Sequence, residues 1–215
     1  MQIPRLGRDG LTIYLLRQLQ SLFPDGHDAR AVLDARLDEA LRRLARCIDS
    51  VCVWAPGRFD VLHSTQYALF LYYLGNTLWR HGDDMHAATK LFLLNKALNG
   101  IDCFHEIELP ERLFIGHTVG IVLAKATYGD RLVLYQNCTV GKNHGISPVL
   151  EDGVVLYPNS AVIGRSRVRA GSVLAQGCSV VNRDTPGGTA VFNGNGGELV
   201  FKPLAAPLLQ TIFRD

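Results

Sequence analysis

The feature that most constrains this chain is a six-residue spacing of aliphatic side chains in its second half. Between Gly100 and Gly120 (GIDCFHEIELPERLFIGHTVG) that spacing marks Ile101, Ile107, Leu113 and Val119. It returns as Leu150, Leu156, Val162, Val168, Leu174 and Val180 without a slip. Tyr128, Leu134 and Val140 keep the step between them, after a break in phase near Val119–Lys125. A period of six fits neither the 3.6 of an α-helix nor the 2 of a plain strand. It fits one flat side of a triangular β-coil, in which the aliphatic residue points into the prism and each coil buries its face only against its neighbours. The expected fold is α+β: an α-helical domain over 1–99, a parallel β-helix of hexapeptide repeats over 100–185, and a Gly-rich C-terminal tail over 186–215.

Four helices are expected before the coil. Asp9 is placed as cap of the first (10–22), with Leu11, Leu15, Leu19 and Leu22 as its stripe and Pro24 as its stop. Asp28 is placed as cap of a second, to about Ile48, with Leu33, Leu37, Leu41 and Leu44 on one face. Its arginines, Arg43 among them, read as a solvated face with i,i+4 partners such as Asp38–Arg42. Ser64 and Asp83 are placed as caps of a third and a fourth helix, the fourth turning Leu91, Leu94 and Leu98 inward and ending at Asn99-Gly100. Beyond the coil, Glu198–Lys202 reads as a short apolar strand. KNHGISP (142–148) interrupts the period, so it has to leave the prism as a loop open to a ligand or a partner subunit.

Charge narrows the partners. Twenty-two basic against twenty acidic side chains leave a net charge of +2, which offers no field for nucleic acid or a membrane surface. There is no apolar run of membrane-spanning length and no signal-peptide core in MQIPRLGRDG, so a cytoplasmic protein is expected. The five cysteines are scattered without paired metal-ligand spacing, and no metal site is expected.

With Gly100-Ile101-Asp102 and, fifteen residues after the aspartate, His117-Thr118-Val119-Gly120, the chain resembles the hexapeptide-repeat acyltransferases and, within them, the serine acetyltransferases. The resemblance runs from about Ser64 to about Thr185 and includes LGNTLWRHG (74–82). It implies a left-handed β-helix, acetyl-CoA as co-substrate, and a homotrimer or a dimer of trimers. An imidazole titrates near pH 6.5 and accepts a hydroxyl proton at neutral pH, which makes His117 the candidate base. Asp102 is the candidate orienting carboxylate, holding the other ring nitrogen as in Ser-His-Asp systems. His105 and His144 are candidate acceptor contacts. Gly141 and Ala161 fall where the resembling enzymes pack backbone against the cofactor, and Lys142 is a candidate for its phosphates.

Three positions depart from that pattern. Gly116 stands where an aspartate precedes the histidine, Gly145-Ile146-Ser147-Pro148 replaces an Arg-His pair, and Phe192–Gly197 replaces the usual C-terminal turn. The expectation is an O-acetyltransferase with L-serine as first acceptor. Another hydroxyl, on a modified amino acid, a sugar or a biosynthetic intermediate, is the alternative, as is a β-helix that only assembles or binds a partner. Zinc chemistry of the γ-carbonic-anhydrase kind is set aside, because Val122 stands where a histidine five residues after His117 is needed.

Overall fold

The computed structural model describes residues 1–214. Four helices come first: α1 (Gly7–Leu22), α2 (Arg30–Ser50), α3 (Ser64–Arg80) and α4 (Met85–Asn99). The four are in place, but their caps lie one residue or more from those expected. Asp9 sits within the first turn of α1, behind an N-cap at Leu6 that makes no side-chain bond. Ala29 caps α2, and Asp28 instead accepts from the Arg30 amide at 2.9 Å. His63, not Ser64, caps α3 through its ring nitrogen, and Asp84, not Asp83, caps α4 by accepting from the Ala87 amide at 2.9 Å. Asp83 pairs with Arg36 of α2 instead. Leu22 and Leu98, expected to face inward, are about half exposed. Both lie in the last turn of their helix.

Helix α3 is the centre of this domain, buried from Thr65 to Leu78. Its polar residues explain why Arg43 of α2 is 5% exposed rather than solvated. The Arg43 guanidinium lies 4.9 Å over the Tyr73 ring and donates to Thr77 Oγ1 at 2.8 Å and Asn76 Oδ1 at 2.7 Å. Burial lowers its pKa. Asp38, expected to pair with Arg42, accepts from Arg8 of α1 at 2.7 Å.

Fourteen strands follow among the described residues, and they build a parallel β-helix with three faces. The first face stacks β1 (Asp102–Cys103), β3 (Val122–Leu123), β6 (Thr139–Gly141), β9 (Ala161–Ile163) and β12 (Ser179–Val181), so about five coils are present. The second holds β4 (Thr127–Tyr128), β7 (Val149–Leu150) and β10 (Arg167–Val168). The third holds β2 (Leu113–Ile115), β5 (Leu132–Leu134), β8 (Val155–Leu156), β11 (Val173–Leu174) and β13 (Thr189–Asn193), with β14 (Leu199–Pro203) pairing antiparallel to β13. Strand β13 pairs in parallel with β11, so the coil continues past residue 185.

The expected inward residues line the prism from Leu134 to Val180, each fully buried. Val119 does not: it is 64% exposed, and Ile121 and Leu123 take the interior instead. The phase shifts there because Thr118–Ile121 forms a turn, closed by the Ile121 amide donating to the Thr118 carbonyl.

Residues 204–214 run back beside the coil, with Leu209 against Gly153, and end on the helical domain. Phe213 is 3% exposed and bridges Val51. The Arg214 guanidinium donates to the carbonyls of Asp49, Val51, Cys52 and Trp54 at 2.6–2.9 Å. Replacing Arg214 with Ala should lower unfolding free energy by about 1.5–3 kcal/mol, the range for hydrogen bonds to a charged group. Arg214→Lys should recover only part, since an ammonium cannot span four carbonyls. Urea unfolding of the full chain measures both.

Candidate active site

Two neighbouring segments bring Asp102 and the His117 turn side by side. Helix α4 ends in Gly100, which adopts a left-handed conformation (φ 65°) and turns the chain directly into β1. The Gly100 carbonyl accepts from the Gly120 amide at 2.9 Å, and the Asp102 amide donates to the Ile121 carbonyl at 2.8 Å. The last residue of HTVG has to be glycine for two reasons. Gly120 has φ 74°, and a Cβ there would lie 2.0 Å from Asn137 Oδ1.

His117 is exposed and makes no side-chain hydrogen bond among the described residues. The Asp102 carboxylate is 35% exposed, and its Oδ2 accepts from Lys96 Nζ at 2.7 Å. Its Oδ1 carries no hydrogen bond among the described residues. Lys96 was not singled out in the sequence. The available signal is a basic residue in the last turn of α4, where it opposes the negative end of the helix.

The outer surface of the first face mixes small and β-branched residues with one carboxylate. Asp102, Val122, Thr139, Ala161 and Ser179 stand in one register column, and Gly141, Ile163 and Val181 in the column beside it. The structure therefore places Asp102, Gly141 and Ala161 on one face. Lys142 lies just beyond that face, with Lys125 beside it in register. Lys125 donates to Glu106 at 2.9 Å, and the two lysines hold the Glu106 carboxyl below its ordinary range, the Lys125 hydrogen bond contributing most.

His144 is exposed at the tip of a hairpin turn closed by mutual Asn143–Ile146 backbone bonds at 3.0 Å. His144 adopts φ 48° and Gly145 φ 77°, the left-handed pair that makes this tight turn. His105 is not on an open surface. It is 6% exposed, its ring centroid lies 3.9 Å from that of Phe104, and its carbonyl accepts from Asn76 at 2.7 Å. Its place is in the joint between α3 and the first coil.

Sequence reasoning also missed an aromatic row along the third face. Trp54, Phe114, Tyr135 and Tyr157 follow one another at centroid distances of 5.7, 6.3 and 5.3 Å. The Tyr135 ring lies over Gly116, where a Cβ would come 2.6 Å from Cδ1 and Cε1. The signal is faint in sequence, since the two tyrosines are twenty-two residues apart across the 142–148 insert. Among the described residues no cluster of three or more His, Cys, Asp or Glu side chains is arranged to hold a metal, and no helix is long and apolar enough to cross a membrane.

The six-residue repeat, the three-faced parallel coil and the glycine-closed histidine turn define a hexapeptide-repeat β-helix protein. No protein-family model matches the chain. Within that class it is similar to the serine acetyltransferases. It is 29% identical over 125 residues to a putative serine acetyltransferase of Schizosaccharomyces pombe, a match covering 56% of this chain and 46% of that protein. The chain thus spans about half the length of the curated relatives it matches. Among solved structures, serine acetyltransferase from Vibrio cholerae superposes with a TM-score of 0.71 at 18% identity, covering 92% of this chain and 81% of that one. The Neisseria gonorrhoeae serine acetyltransferase in complex with serine gives 0.67 at 16%, covering 89% and 83%.

Burial lowers the pKa of His105, opposed by Glu106. The unfolded chain then takes up a proton below about pH 6.5 that the folded chain resists, so this contribution to stability is complete above that pH and lost as pH falls. Denaturation at pH 7.5 and 5.5 should show a smaller acid loss for His105→Phe than for the parent chain.

Proposed function

We propose that this chain is an acetyl-CoA-dependent O-acetyltransferase in which His117 is the general base and Asp102 its orienting carboxylate. The observation that carries this reading is the seating of the His117 turn against the Asp102 strand, with carboxylate oxygen Oδ1 left free while Lys96 anchors Oδ2. In the reaction, an acceptor hydroxyl loses its proton to His117 as its oxygen attacks the thioester carbonyl. A C–O bond forms, the C–S bond breaks, and the proton passes from His117 to the departing thiolate. Asp102 would fix the ring tautomer and stabilise the imidazolium between these steps.

The small outer surface formed by Gly141, Ala161 and Thr139 suits a pantetheine arm lying against backbone, and Lys142, which directly follows Gly141, is the cation proposed for its phosphates. Val119, Val122 and Val181 are 43–64% exposed, as expected for a face that a second copy covers in a trimer. Serine is the acceptor carried by the names of the relatives, and it comes first in any panel. A different hydroxyl is favoured by one observation: Gly116 has no room for a side chain that would meet an amino group.

The test is thiol release from acetyl-CoA against a panel of hydroxyl acceptors. His117→Ala should reduce turnover by about 10²–10⁴, the usual share of a general base, with acetyl-CoA affinity kept. Asp102→Asn should lower turnover without shifting acetyl-CoA affinity. Unchanged turnover in His117→Ala would refute the assignment, and absent acetyl-CoA binding would refute the whole reading in favour of an assembly role.

A further inference from the structure

Resting on the acetyl-transfer reading, we propose that Lys96 is the residue that positions Asp102 for His117, and that turnover carries a salt dependence running through this one pair. Polar side chains on the later coils reach back one coil for a backbone amide. Asp152 Oδ1 accepts from the Asp130 amide at 2.8 Å, Asn182 Oδ1 from the Arg165 amide at 2.9 Å, and Asp184 Oδ1 from the Arg167 amide at 3.1 Å. Asp102 stands on β1, the first strand of its stack, so no earlier coil offers it an amide.

Helix α4 supplies a donor in place of that amide. The bond from Lys96 Nζ to Asp102 Oδ2, at 2.7 Å, is the one hydrogen bond this carboxylate makes among the described residues. The last torsion of an aspartate is broad and roughly two-fold, so a carboxylate with no donor turns freely about it. A donor fixed on Oδ2 ends that freedom and leaves Oδ1 for the ring of His117. Local structure sets the lysine in turn. It lies in the last turn of α4, where a cation meets the negative end of the helix, and its ammonium is 5.9 Å from the centroid of the Phe92 ring one turn back. Phe92 packs edge-on against Phe104 of the first coil at 5.2 Å, which ties this stretch of helix to the strand it serves.

Replacing an amide with an ammonium changes the character of the support. A bond from a backbone amide carries no net charge and is nearly indifferent to salt. The Lys96–Asp102 pair is ionic, and its side chains are 53% and 35% exposed. Ions weaken such a pair, because the screening length falls from about 10 Å at 0.1 M to about 3 Å at 1 M. Its share in turnover is bounded by the worth of an exposed pair, about two- to fivefold, well below that of His117. The ammonium also repels the imidazolium formed in the reaction, but from the far side of the carboxylate, where repulsion in contact with water is the weaker effect.

The experiment measures kcat and KM of the full chain between about 0.05 and 1 M potassium chloride. Acetyl-CoA and the best acceptor of the panel are kept saturating, so that salt effects on cofactor binding stay out of kcat. Lys96→Met keeps the aliphatic stem and removes the charge. We expect its kcat to lie about two- to fivefold below the parent, with KM for both substrates kept and the fold intact by urea unfolding. The parent kcat should fall by a similar factor as salt rises, and that of Lys96→Met should stay flat. Lys96→Arg should keep most of the kcat and its salt dependence. In an Asp102→Asn background Lys96→Met should cost nothing further, since it acts through the carboxylate. Arg46→Met, which removes another helix-to-coil pair (Arg46–Glu111, 2.8 Å), should behave as the parent. Parent-like kcat and salt slope in Lys96→Met, or a rise in kcat, would overturn the positioning role, while an inactive His117→Ala leaves acetyl transfer standing. A slope that Arg46→Met flattens equally would overturn it too, as a general effect on the fold. Parent-like turnover in His117→Ala, or no turnover of acetyl-CoA in any chain, would refute the base assignment and this role with it.

Discussion

Everything in this chain depends on the closure of the first coil. A β-helix coil satisfies its backbone only through the coils before and after it, so the terminal coil is exposed to the loss of half its hydrogen bonds. Here the second face begins only at Thr127, and the first coil crosses that side as the irregular segment 104–112. Helix α3 supplies what the missing strand cannot. Asn76 donates to the His105 carbonyl, while the Tyr72 hydroxyl donates to the Ile107 carbonyl and accepts from the Leu109 amide. Arg43 in turn donates to Asn76 Oδ1, so a buried cation fixes the amide that caps the coil. The helical domain is thus the end-cap of the prism, and its polar core exists for that purpose.

This arrangement decides how much of the fold was legible. The inward positions from Leu134 to Val180 could be read directly, because one side chain per side of the prism imposes a strict period. Val119 misled because the turn Thr118–Ile121 shifts the phase, and a period count cannot see a turn that the neighbouring coil enforces. The caps at Asp9, Asp28, Ser64 and Asp83 misled for a different reason. Adjacent residues such as Asp83 and Asp84 are equivalent as sequence, and only the tertiary partner of Asp83, Arg36, determines which of the two remains to cap. Arg43 read as solvated since a helical wheel has no knowledge of a polar row on the helix opposite.

The site divides along the same line. Asp102 and His117 could be picked out because their spacing and motifs resemble those of a known family, and the turn that carries one is seated beside the strand that carries the other. What surrounds them could not. Lys96 reaches Asp102 from a helix, and the Tyr135 ring reaches Gly116 from the next coil. The glycine at 116 was visible as the loss of a side chain. In three dimensions it is also the space that the Tyr135 ring occupies, because a Cβ there would come 2.6 Å from Cδ1 and Cε1.

The return segment completes this logic. The ladder of β13 and β14 ends the coil far from the helices, yet residues 204–214 carry the chain back to the turn after α2. Arg214 there reaches four carbonyls of residues 49–54, and Trp54, in the same turn, heads the aromatic row that leads through Phe114 to Tyr135. The turn that presents Trp54 is therefore held from both sides, by the end of α2 and by Arg214. A row of rings in contact passes position along by packing, even though Phe114, Tyr135 and Tyr157 are each only half-buried. The clamp at Arg214 and the rings that approach Gly116 therefore form one continuous chain of contacts rather than separate stabilising features.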